Sequence, residues 1–341
     1  MSDIRFGIAG CGMIAKWHAQ AVSHVKGAVL YGASSRSEDS RDAFCKKYNI
    51  KPYVSYNDML KDDCIDAICI CTPSGQHASM AIAAAEAGKN IVVEKPMAIT
   101  VQECDRIIEA CEKNKVLLSV IFQSRYSKPV RQLKSAVDDG WLGRMTYGDV
   151  YMKFIRSPEY YTQSTWKGTW EMDGGGALMN QGVHGVDLLL YIMGDVKSVY
   201  GNARTLVHNI QTDDTTAAVL EYKNGALGVI QASTTVYPGV PRKLEISGYQ
   251  GTIVIEEDVI TSWDIKGMTV PDDVIVTKNE DFSAADPAAF TIEGHVNQFT
   301  DIVTSFREGK RPYVDEYEGK RSVELVCAVY ESSKKGIRID L

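Results

Sequence analysis

The sequence predicts an α/β protein of two domains, the first built on a parallel sheet and the second on an antiparallel one. Its 341 residues are enough for about two domains of ordinary size. As far as residue 122, short apolar runs alternate with helix-forming segments, which is typical of a parallel sheet with helical crossovers. Several strand-like runs with short turns then follow, which is typical of antiparallel pairing. We therefore expect domains at residues 1–122 and 123–341, with the C-terminal helices of the second packing back.

Each element of the first domain has a local signal in the sequence. β-rich or continuous apolar runs predict strands at residues 4–9, 28–33, 65–71, 90–93 and 116–122. Helix-forming runs predict helices at residues 11–24, 38–48, 77–87 and 100–113. Thr100, followed three residues later by Glu103, is a capping-box signal for the start of the last of these helices. The alternation supports the prediction of a parallel sheet.

The second domain shows a different pattern. Helices are predicted at residues 128–139, 294–307 and 318–333. Strand-like runs occur at residues 145–155, 198–206, 215–222, 226–235, 243–247 and 251–256. Asn224-Gly225 separates two of these runs and is typical of a tight hairpin turn. This run of strands with short turns predicts an antiparallel sheet.

Composition excludes several classes of protein. Lys and Arg total 37 against 44 Asp and Glu, a net charge of −7, whereas a general nucleic-acid binder usually carries a basic excess. No apolar run is long enough to span a membrane, and the N-terminus shows no secretory signal. The eight cysteines show no metal-ligand spacing and are expected to be reduced thiols. We expect a cytoplasmic protein with no metal site and no nucleic-acid or membrane partner.

A glycine-rich turn follows the first predicted strand. Residues 10–15, with the sequence GCGMIA, fit the pattern GxGxxA at the opening of a helix. The first glycine permits a tight turn, the second lets backbone N–H groups approach a pyrophosphate, and the small last residue permits close helix packing. We therefore predict a dinucleotide site that includes Gly10, Gly12, Met13 and Ile14.

The end of the second predicted strand is expected to select the cofactor. An acidic residue there binds the ribose 2′-hydroxyl of NAD, whereas a nearby arginine accommodates the 2′-phosphate of NADP. This chain has Ser34, Ser35 and Arg36 at that point. Glu38 or Asp39 is the alternative, since either carboxylate can turn in to serve NAD. The residues favour NADP slightly over NAD, with Ser35 and Arg36 as the contacts.

Three further motifs carry a resemblance to a known family. They are TPSGQH at residues 72–77, GKNIVVEKPMA at residues 88–98, and DGGGALMNQGVH at residues 173–184. Together they resemble the Gfo/Idh/MocA oxidoreductases, named for glucose–fructose oxidoreductase, inositol dehydrogenase and a rhizopine-catabolism protein. The resemblance covers essentially the whole chain.

The resemblance implies both an architecture and an activity. Family members combine an N-terminal Rossmann domain with a C-terminal α/β domain built on a large, mostly antiparallel open sheet, and the active site lies between the domains. They commonly form dimers or tetramers through the outer face of that sheet. They transfer hydride between NAD or NADP and a hydroxyl-bearing ring carbon of a sugar, a sugar derivative or an inositol. We therefore expect a homodimer or homotetramer with a carbohydrate or cyclitol substrate.

Lys95 and His184 are the catalytic residues that the resemblance implies. The matching lysine of the family contacts the reacting hydroxyl near the nicotinamide, where its charge stabilises alkoxide character. Pro96 restricts Lys95 to an extended backbone. His184 can accept the hydroxyl proton near neutral pH. Glu94 either orients Lys95 or only packs beside it.

Asn180 is a third expected catalytic residue, and it departs from the family pattern, in which many members carry aspartate. It precedes His184 by four residues, about one helical turn. Asparagine can hydrogen-bond a sugar hydroxyl but cannot hold a proton, which leaves His184 or Lys95 as the base. Asp187, three residues after His184, either orients the imidazole ring or has another role.

Further positions are expected to line the cofactor and the substrate. Thr72, Pro73, His77 and Glu94 follow strand ends of the first domain and are predicted cofactor contacts, together with Lys95. Arg125 and an aromatic-rich stretch supply substrate candidates, because aromatic faces stack on sugars and a lysine can hold a carboxylate. The candidates are Arg125, Tyr161, Trp166 and Lys167, together with Asn180 and His184, and the stretch also contains Tyr160 and Trp170.

Two enzymatic functions fit these residues. The main prediction is an NAD(P)-dependent dehydrogenase or reductase of sugars or inositols. The alternative is a redox-neutral enzyme that oxidises a sugar transiently, eliminates the aglycone and returns the hydride to bound NAD. It would use the same Lys95 and His184. A non-catalytic dinucleotide-binding protein is a third interpretation, and the presence of both residues argues against it.

Overall fold

The first domain contains a six-stranded parallel sheet. The computed structural model describes residues 2–277 and 292–341. The strands are β1 (Ile4–Ala9), β2 (Ala28–Ser34), β3 (Lys51–Tyr53), β4 (Ala67–Ile70), β5 (Asn90–Val93) and β6 (Leu118–Val120). They lie in the order β3-β2-β1-β4-β5-β6, and all neighbours run parallel. This is the strand order of the doubly wound fold that binds dinucleotides, so the predicted parallel sheet is confirmed.

Helices connect these strands. They are α1 (Met13–His24), α2 (Glu38–Tyr48), α3 (Tyr56–Leu60), α4 (His77–Glu86) and α5 (Val101–Asn114). The predicted cap of α5 is present, because Thr100 Oγ1 accepts a hydrogen bond of 3.2 Å from Glu103 N. The sequence pattern does not predict β3 and α3, since elements of three and five residues are too short to show a period.

The second domain contains an eight-stranded, mostly antiparallel sheet. Its strands are β7 (Met145–Lys153), β8 (Val196–Arg204), β9 (Thr215–Tyr222), β10 (Leu227–Ser233), β11 (Lys243–Gly248), β12 (Gly251–Glu256), β13 (Val259–Ile265) and β14 (Ile339–Asp340). They lie in the order β13-β12-β11-β7-β10-β9-β8-β14. β7 and β10 pair in parallel and the other neighbours are antiparallel. The expected architecture is confirmed, and β13 and β14 are additional to the predicted strands.

A helix lies close against this sheet. The helices of the second domain include α6 (Lys128–Asp138), α7 (Pro158–Thr162), α8 (Trp170–Asp173) and α9 (Val183–Met193), and a π-helical segment, Ala177–Gly182, leads into α9. A Cβ on Gly185 would lie 2.4 Å from Met152 Sδ, and one on Gly148 would lie 2.5 Å from Met193 Cγ. Glycine at both positions therefore lets α9 approach β7 closely, which fixes the position of the first turn of α9.

The helix α10 (Glu293–Glu308) belongs to the first domain, although it follows the second domain along the chain. Of the described residues, contacts group 2–123 with 292–320, and they group 124–277 with 321–341. The division after residue 320 falls within α11 (Glu316–Lys335). The predicted domains meet after residue 122, and the predicted second domain includes C-terminal helices that pack back, of which α10 is one. Residues 278–291 of that predicted domain lie outside the described residues.

Apolar and polar contacts both tie α10 to the first domain. Phe299 is fully buried, and its ring meets the Phe6 ring edge-on with the centroids 5.8 Å apart. The Gln298 side chain donates to Val120 O at 2.8 Å and accepts from Phe122 N at 3.1 Å. An amphipathic pattern predicts a helix but does not say which core the helix covers, and these contacts assign α10 to the core of the first domain.

Among the helices within residues 2–277 and 292–341, none is both long and apolar enough to span a membrane.

Phe299→Ala is expected to reduce the free energy of unfolding of the first domain by about 3–5 kcal/mol, because it removes a buried aromatic side chain. Thr304→Ala, on the exposed side of the same helix, is the control and is expected to change stability by less than about 0.5 kcal/mol. Urea unfolding of the full chain, followed by circular dichroism, measures both. Equal effects of the two substitutions would contradict the assignment of α10 to this core.

Candidate active site

The glycine-rich turn joins β1 to α1. Gly10 has a φ of +92°, and a Cβ there would lie 2.6 Å from Cys71 O, so the position requires glycine. A Cβ on Gly12 would meet nothing within 4 Å, so the backbone of this residue borders open space. α1 begins at Met13 with no side-chain cap. The first N–H groups of α1 are therefore available to a phosphate group.

The segment after β2 presents both predicted kinds of cofactor contact. Ser35 is half-buried, whereas Arg36 is exposed. Glu38 and Asp39 lie exposed in the first turn of α2, whose N-cap is Ser37. A hydroxyl group, a guanidinium group and two carboxylates therefore stand together at the site where the ribose is expected.

Lys95 follows β5, and its backbone is held by the residue before it. Glu94 Oε2 accepts a hydrogen bond of 3.2 Å from Lys95 N, and Glu94 Oε1 lies 2.8 Å from His18 Nε2. Burial raises the pKa of Glu94, but the hydrogen bond from His18 and the charges of His18 and Lys95 outweigh burial and leave this pKa below its usual value. Glu94 is thus a buried carboxylate that orients Lys95, which supports the first of the two alternatives for Glu94.

His77 links the two loops that carry Thr72 and Lys95. Its Nδ1 lies 2.8 Å from Pro96 O and its Nε2 lies 2.9 Å from Thr72 O. The ring is buried, and burial lowers its pKa although both carbonyl groups oppose this effect. Both ring nitrogens contact protein carbonyls, so His77 supports these loops, and its contact with the cofactor stays a prediction.

In the second domain, the buried carboxylate of Asp213 holds the start of the π segment, Ala177–Gly182. Its Oδ1 accepts a hydrogen bond of 2.8 Å from Gly176 N, and its Oδ2 accepts one of 2.9 Å from Leu178 N. Thr216 Oγ1 donates to Oδ2 at 2.8 Å. A carboxylate at the N-terminal end of a helix is also favoured by the helix dipole. Asp213 therefore fixes the backbone from which Asn180 projects.

Tyr330 of α11 completes this arrangement. Its Oη donates to Asp213 Oδ1 at 2.7 Å and accepts from Met179 N at 3.2 Å. A Cβ on Gly175 would lie 2.3 Å from Tyr330 Oη, and one on Gly176 would lie 1.9 Å from Asp213 O. Two glycines of the predicted motif are thus required by the close approach of Tyr330 and of the Asp213 backbone.

The π segment places Asn180 in a polar network. Its Nδ2 donates to Asp173 Oδ1, and Asp173 Oδ2 accepts a hydrogen bond of 2.8 Å from Gly168 N. Gln181 Nε2 donates to Asn180 Oδ1 at 3.0 Å. Asn180 has no carboxylate of its own, but the buried carboxylate of Asp173 stands beside it and orients its amide group.

Gln181 extends the network to two cations. Arg156 Nη2 donates to Gln181 Oε1 at 2.6 Å, and Gln181 Nε2 donates to Tyr160 Oη at 2.8 Å. Lys167 Nζ lies 3.5 Å from the centroid of the Tyr160 ring. Burial lowers the pKa of Lys167, and the charge of Asp173 opposes this effect. The structure therefore brings the predicted residues Asn180 and Lys167 into one cluster.

His184 lies in the first turn of α9 and is half-buried. The same helix carries Asp187, which accepts hydrogen bonds of 2.9 Å from Arg125 Nε and 2.6 Å from Arg125 Nη2. Arg125 is only 2% exposed. The ion pair with Asp187 therefore supports α9, and the substrate contact of Arg125 stays a prediction.

The adjacent tyrosines 160 and 161 have different surroundings. Tyr161 is 7% exposed, and its Oη donates to Thr234 Oγ1 at 3.0 Å. Tyr160 is half-buried and belongs to the polar network. Of the two, Tyr160 is the more exposed and the one joined to Asn180 through Gln181, and the substrate contact of Tyr161 stays a prediction. Trp166 is half-buried, and its carbonyl oxygen accepts a hydrogen bond of 2.7 Å from Thr169 Oγ1.

Sequence reasoning overlooks four residues of this site: Arg156, Asp173 as a partner of Asn180, Gln181 and Asp213. Asp173 and Gln181 lie within the recognised glycine-rich motif, and the adjoining pair Asp213-Asp214 before β9 is an acidic signal at a strand start. Arg156 has no distinctive signal. In the part of the chain that the structure describes, no three His, Cys, Asp or Glu side chains are arranged to bind a metal ion.

Comparisons with known proteins relate both parts of the chain to one family. The profile of the oxidoreductase family with an NAD-binding Rossmann fold matches residues 4–122, and that of the GFO/IDH/MocA C-terminal domain matches residues 130–254. The chain is similar to the myo-inositol 2-dehydrogenase of Thermotoga maritima, with 26% identity over 99% of both chains. It is also similar to the scyllo-inositol 2-dehydrogenase (NAD(+)) of Bacillus subtilis, with 28% identity over 99% of this chain and 96% of that protein.

Solved structures extend the comparison. The WlbA dehydrogenase from Bordetella pertussis, in complex with NADH and UDP-GlcNAcA, has a TM-score of 0.89 and 33% identity over 99% of each chain. The WlbA dehydrogenase from Chromobacterium violaceum, in complex with the same two ligands, has a TM-score of 0.88 and 30% identity over 100% of this chain and 96% of that one. The chain therefore belongs to the GFO/IDH/MocA family of NAD-dependent oxidoreductases.

Proposed function

We propose that this protein transfers hydride between NAD and a hydroxyl-bearing ring carbon of a sugar, a sugar derivative or an inositol. The observation that carries the proposal is the position of Lys95 after the carboxyl end of β5, in the sheet whose β1 leads into the glycine-rich turn. Dinucleotides bind along this edge of such sheets. The names of relatives supply the substrate class, since two are inositol dehydrogenases and the WlbA structures hold a sugar nucleotide.

Lys95, His184 and Asn180 have separate roles in the proposed reaction. NAD, when bound, accepts the hydride. The Lys95 ammonium group stabilises alkoxide character on the substrate oxygen, and His184 accepts the hydroxyl proton. The Asn180 amide, oriented by Asp173, holds a ring hydroxyl by hydrogen bonding. The bond from Lys95 N to Glu94 keeps the lysine backbone in place.

The cofactor contacts of the proposal lie in the first domain. The phosphates are expected at the N-terminus of α1, where the backbone is open and uncapped. Thr72 and Pro73, in the loop after β4, are half-buried, and His77 bridges this loop to the one that carries Lys95. The proposed cofactor contacts are Gly10, Gly12, Met13, Ile14, Thr72 and Pro73. In the second domain, Trp166 and Lys167 remain proposed contacts of the substrate.

The choice between NAD and NADP is a separate part of the proposal. The NADH complexes of the WlbA structures support NAD(H) as a cofactor. Arg36 is exposed beside Ser35, and a guanidinium group in this position can bind a 2′-phosphate. We therefore include NADP as a second cofactor whose binding depends on Arg36.

Assembly into a homo-oligomer is also part of the proposal. On the face of the second sheet that points away from its core, Tyr147, Tyr200, Val219 and Leu227 are exposed. Tyr200 is paired in register with Val219, and Tyr147 is paired with Leu227, so the apolar side chains lie next to each other. Contiguous exposed apolar surface of this kind marks protein–protein contact. A dimer or tetramer formed through this face is the expected assembly.

The state of the cysteines bears on the cellular compartment. All eight are free thiols in the structure. Free thiols suit a reducing compartment, which supports the proposed cytoplasmic location.

Lys95→Met and His184→Asn are each expected to lower the rate of NADH formation by about 10²–10⁴-fold, because each removes a group that acts on the reacting hydroxyl. The binding of NAD, measured by calorimetry, is expected to change by less than about twofold, since the phosphate contacts remain. myo-Inositol and UDP-GlcNAcA are suitable first probes. Lys61→Met, an exposed lysine of the same domain, is the control. Unchanged rates in both variants would refute the proposed roles.

Arg36→Ala is expected to weaken NADP binding by about tenfold or more and to leave NAD binding nearly unchanged, because it removes a charge-assisted bond to the 2′-phosphate. Ser35→Asp is expected to favour NAD further, since a carboxylate repels the phosphate and accepts the ribose hydroxyl. Dissociation constants of both cofactors measure the effects. If neither substitution shifts the ratio of the two constants, other residues select the cofactor.

A further inference from the structure

Two cations in the second domain share one aromatic ring. Lys167 Nζ lies 3.5 Å from the centroid of the Tyr160 ring, and the Arg156 guanidinium carbon lies 5.7 Å from the same centroid. Both side chains are half-buried. Within residues 2–277 and 292–341, neither cation forms an ion pair with a carboxylate. Such a concentration of positive charge is unfavourable unless an anion offsets it.

The carboxylate of Asp173, the acidic group in this network, already accepts hydrogen bonds from other groups. Burial lowers the pKa of Lys167, whereas the charge of Asp173 raises it and so favours the protonated form of this lysine. The two oxygens of Asp173, however, accept hydrogen bonds from Gly168 N and Asn180 Nδ2. It is buried and holds the loop and the amide together. Asp173 therefore serves the architecture of the cluster and does not neutralise both cations.

The cluster also has donors with no acceptor. Arg156 Nη1 donates to Ile155 O and Nη2 donates to Gln181 Oε1, but Nε is buried without a hydrogen-bond partner. Tyr160 Oη accepts from Gln181, which leaves its own proton to donate. Burial raises the pKa of Tyr160 to about 12, so this proton is retained at neutral pH. Unpaired buried donors of this kind are costly unless a ligand accepts from them.

We propose that Lys167, Arg156 and Tyr160 form a subsite for a carboxylate carried by the sugar ring of the substrate. Two positive charges and a phenolic donor match the chemistry of an anionic oxygen group. This inference rests on the proposed function, because it uses the role of Asn180 as a contact of the substrate ring.

The hydrogen-bond network joins the cationic cluster closely to Asn180, which argues for an anion on the sugar ring itself. Gln181 Nε2 bonds both Tyr160 Oη and Asn180 Oδ1, so the cationic cluster is separated from Asn180 by a single side chain. If Asn180 holds a ring hydroxyl, the anion lies on the same ring. A uronic acid carboxylate meets this condition, whereas the phosphate of a nucleotide sugar is attached beyond the ring.

The test compares UDP-GlcNAcA with UDP-GlcNAc, whose sugar ring is neutral because it carries a hydroxymethyl group in place of the carboxylate. Calorimetry measures the binding of each ligand to the full chain saturated with NADH, and NADH formation is measured separately. The wild type is expected to bind the acid at least about tenfold more tightly, as a charge-assisted contact implies. Lys167→Met is expected to lose most of this preference, and Lys167→Arg, which keeps the charge, is expected to retain much of it.

Controls separate the subsite from a general effect of charge or folding. Lys47→Met removes a lysine that lies 5.1 Å from a tyrosine ring in the first domain and is expected to keep the full preference. Tyr160→Phe is expected to lose part of the preference, because it removes one donor. Unchanged NADH binding and circular dichroism identify variants that are correctly folded.

The outcomes distinguish this inference from the proposed function. Equal binding of the acid and the neutral ligand by the wild type would overturn the subsite, as would an undiminished preference in folded Lys167→Met. Tighter binding of inorganic phosphate or a sugar phosphate than of the acid, lost in the same variant, would overturn the carboxylate in favour of a phosphate. Selective binding of the acid without NADH formation would support the subsite and count against dehydrogenation of this ligand. Oxidation of neutral sugars without selective binding of the acid would leave the proposed function intact and reject the subsite.

Discussion

The buried carboxylate of Asp213 is the contact on which the functional part of the second domain depends. Its oxygens accept hydrogen bonds from two backbone amides and two hydroxyl groups, which come from different parts of the chain. Breaking such an arrangement leaves a buried charge unpaired, so the carboxylate and the π segment stabilise one another. Glycine at 175 and 176 follows from the same close approach. Asn180 and the start of α9 extend from the backbone that is held in this way, and Gln181 of the same segment contacts the cationic cluster.

The first domain places its functional residues by comparable means. His77 joins the loops of Thr72 and Pro96 through two carbonyl groups, and Glu94 holds Lys95 N while it is bound by His18. Each of these buried polar side chains contacts the backbone that it orients, and the groups proposed to contact ligands are fixed by them. Small displacements of the reacting groups lower the rate of a reaction. Contacts of this kind therefore support catalysis, because they hold those groups in place.

Local signals predict most of the strands, the glycine-rich turn and the motif residues, because each depends on neighbours along the chain. Long-range packing decides the rest. The π segment has an ordinary helical composition, and its backbone is held by a carboxylate 37 residues after Gly176. The sequence does not distinguish Tyr160 from Tyr161, since a partner in a distant segment, Thr234, engages only the second. Arg125 has the residue type of a ligand contact, yet Asp187 buries it in an ion pair.

Hydrogen exchange resolved to single backbone amides tests the central role of Asp213 most directly. In the wild type, the amides of Gly176 and Leu178 are expected to exchange slowly, because both donate to this carboxylate. Asp213→Asn, which loses the charge and one acceptor oxygen, is expected to accelerate exchange at these two amides while Leu220 in the adjoining sheet stays protected. Equal exchange of the two amides in both proteins, or loss of protection throughout the second domain, would contradict the account.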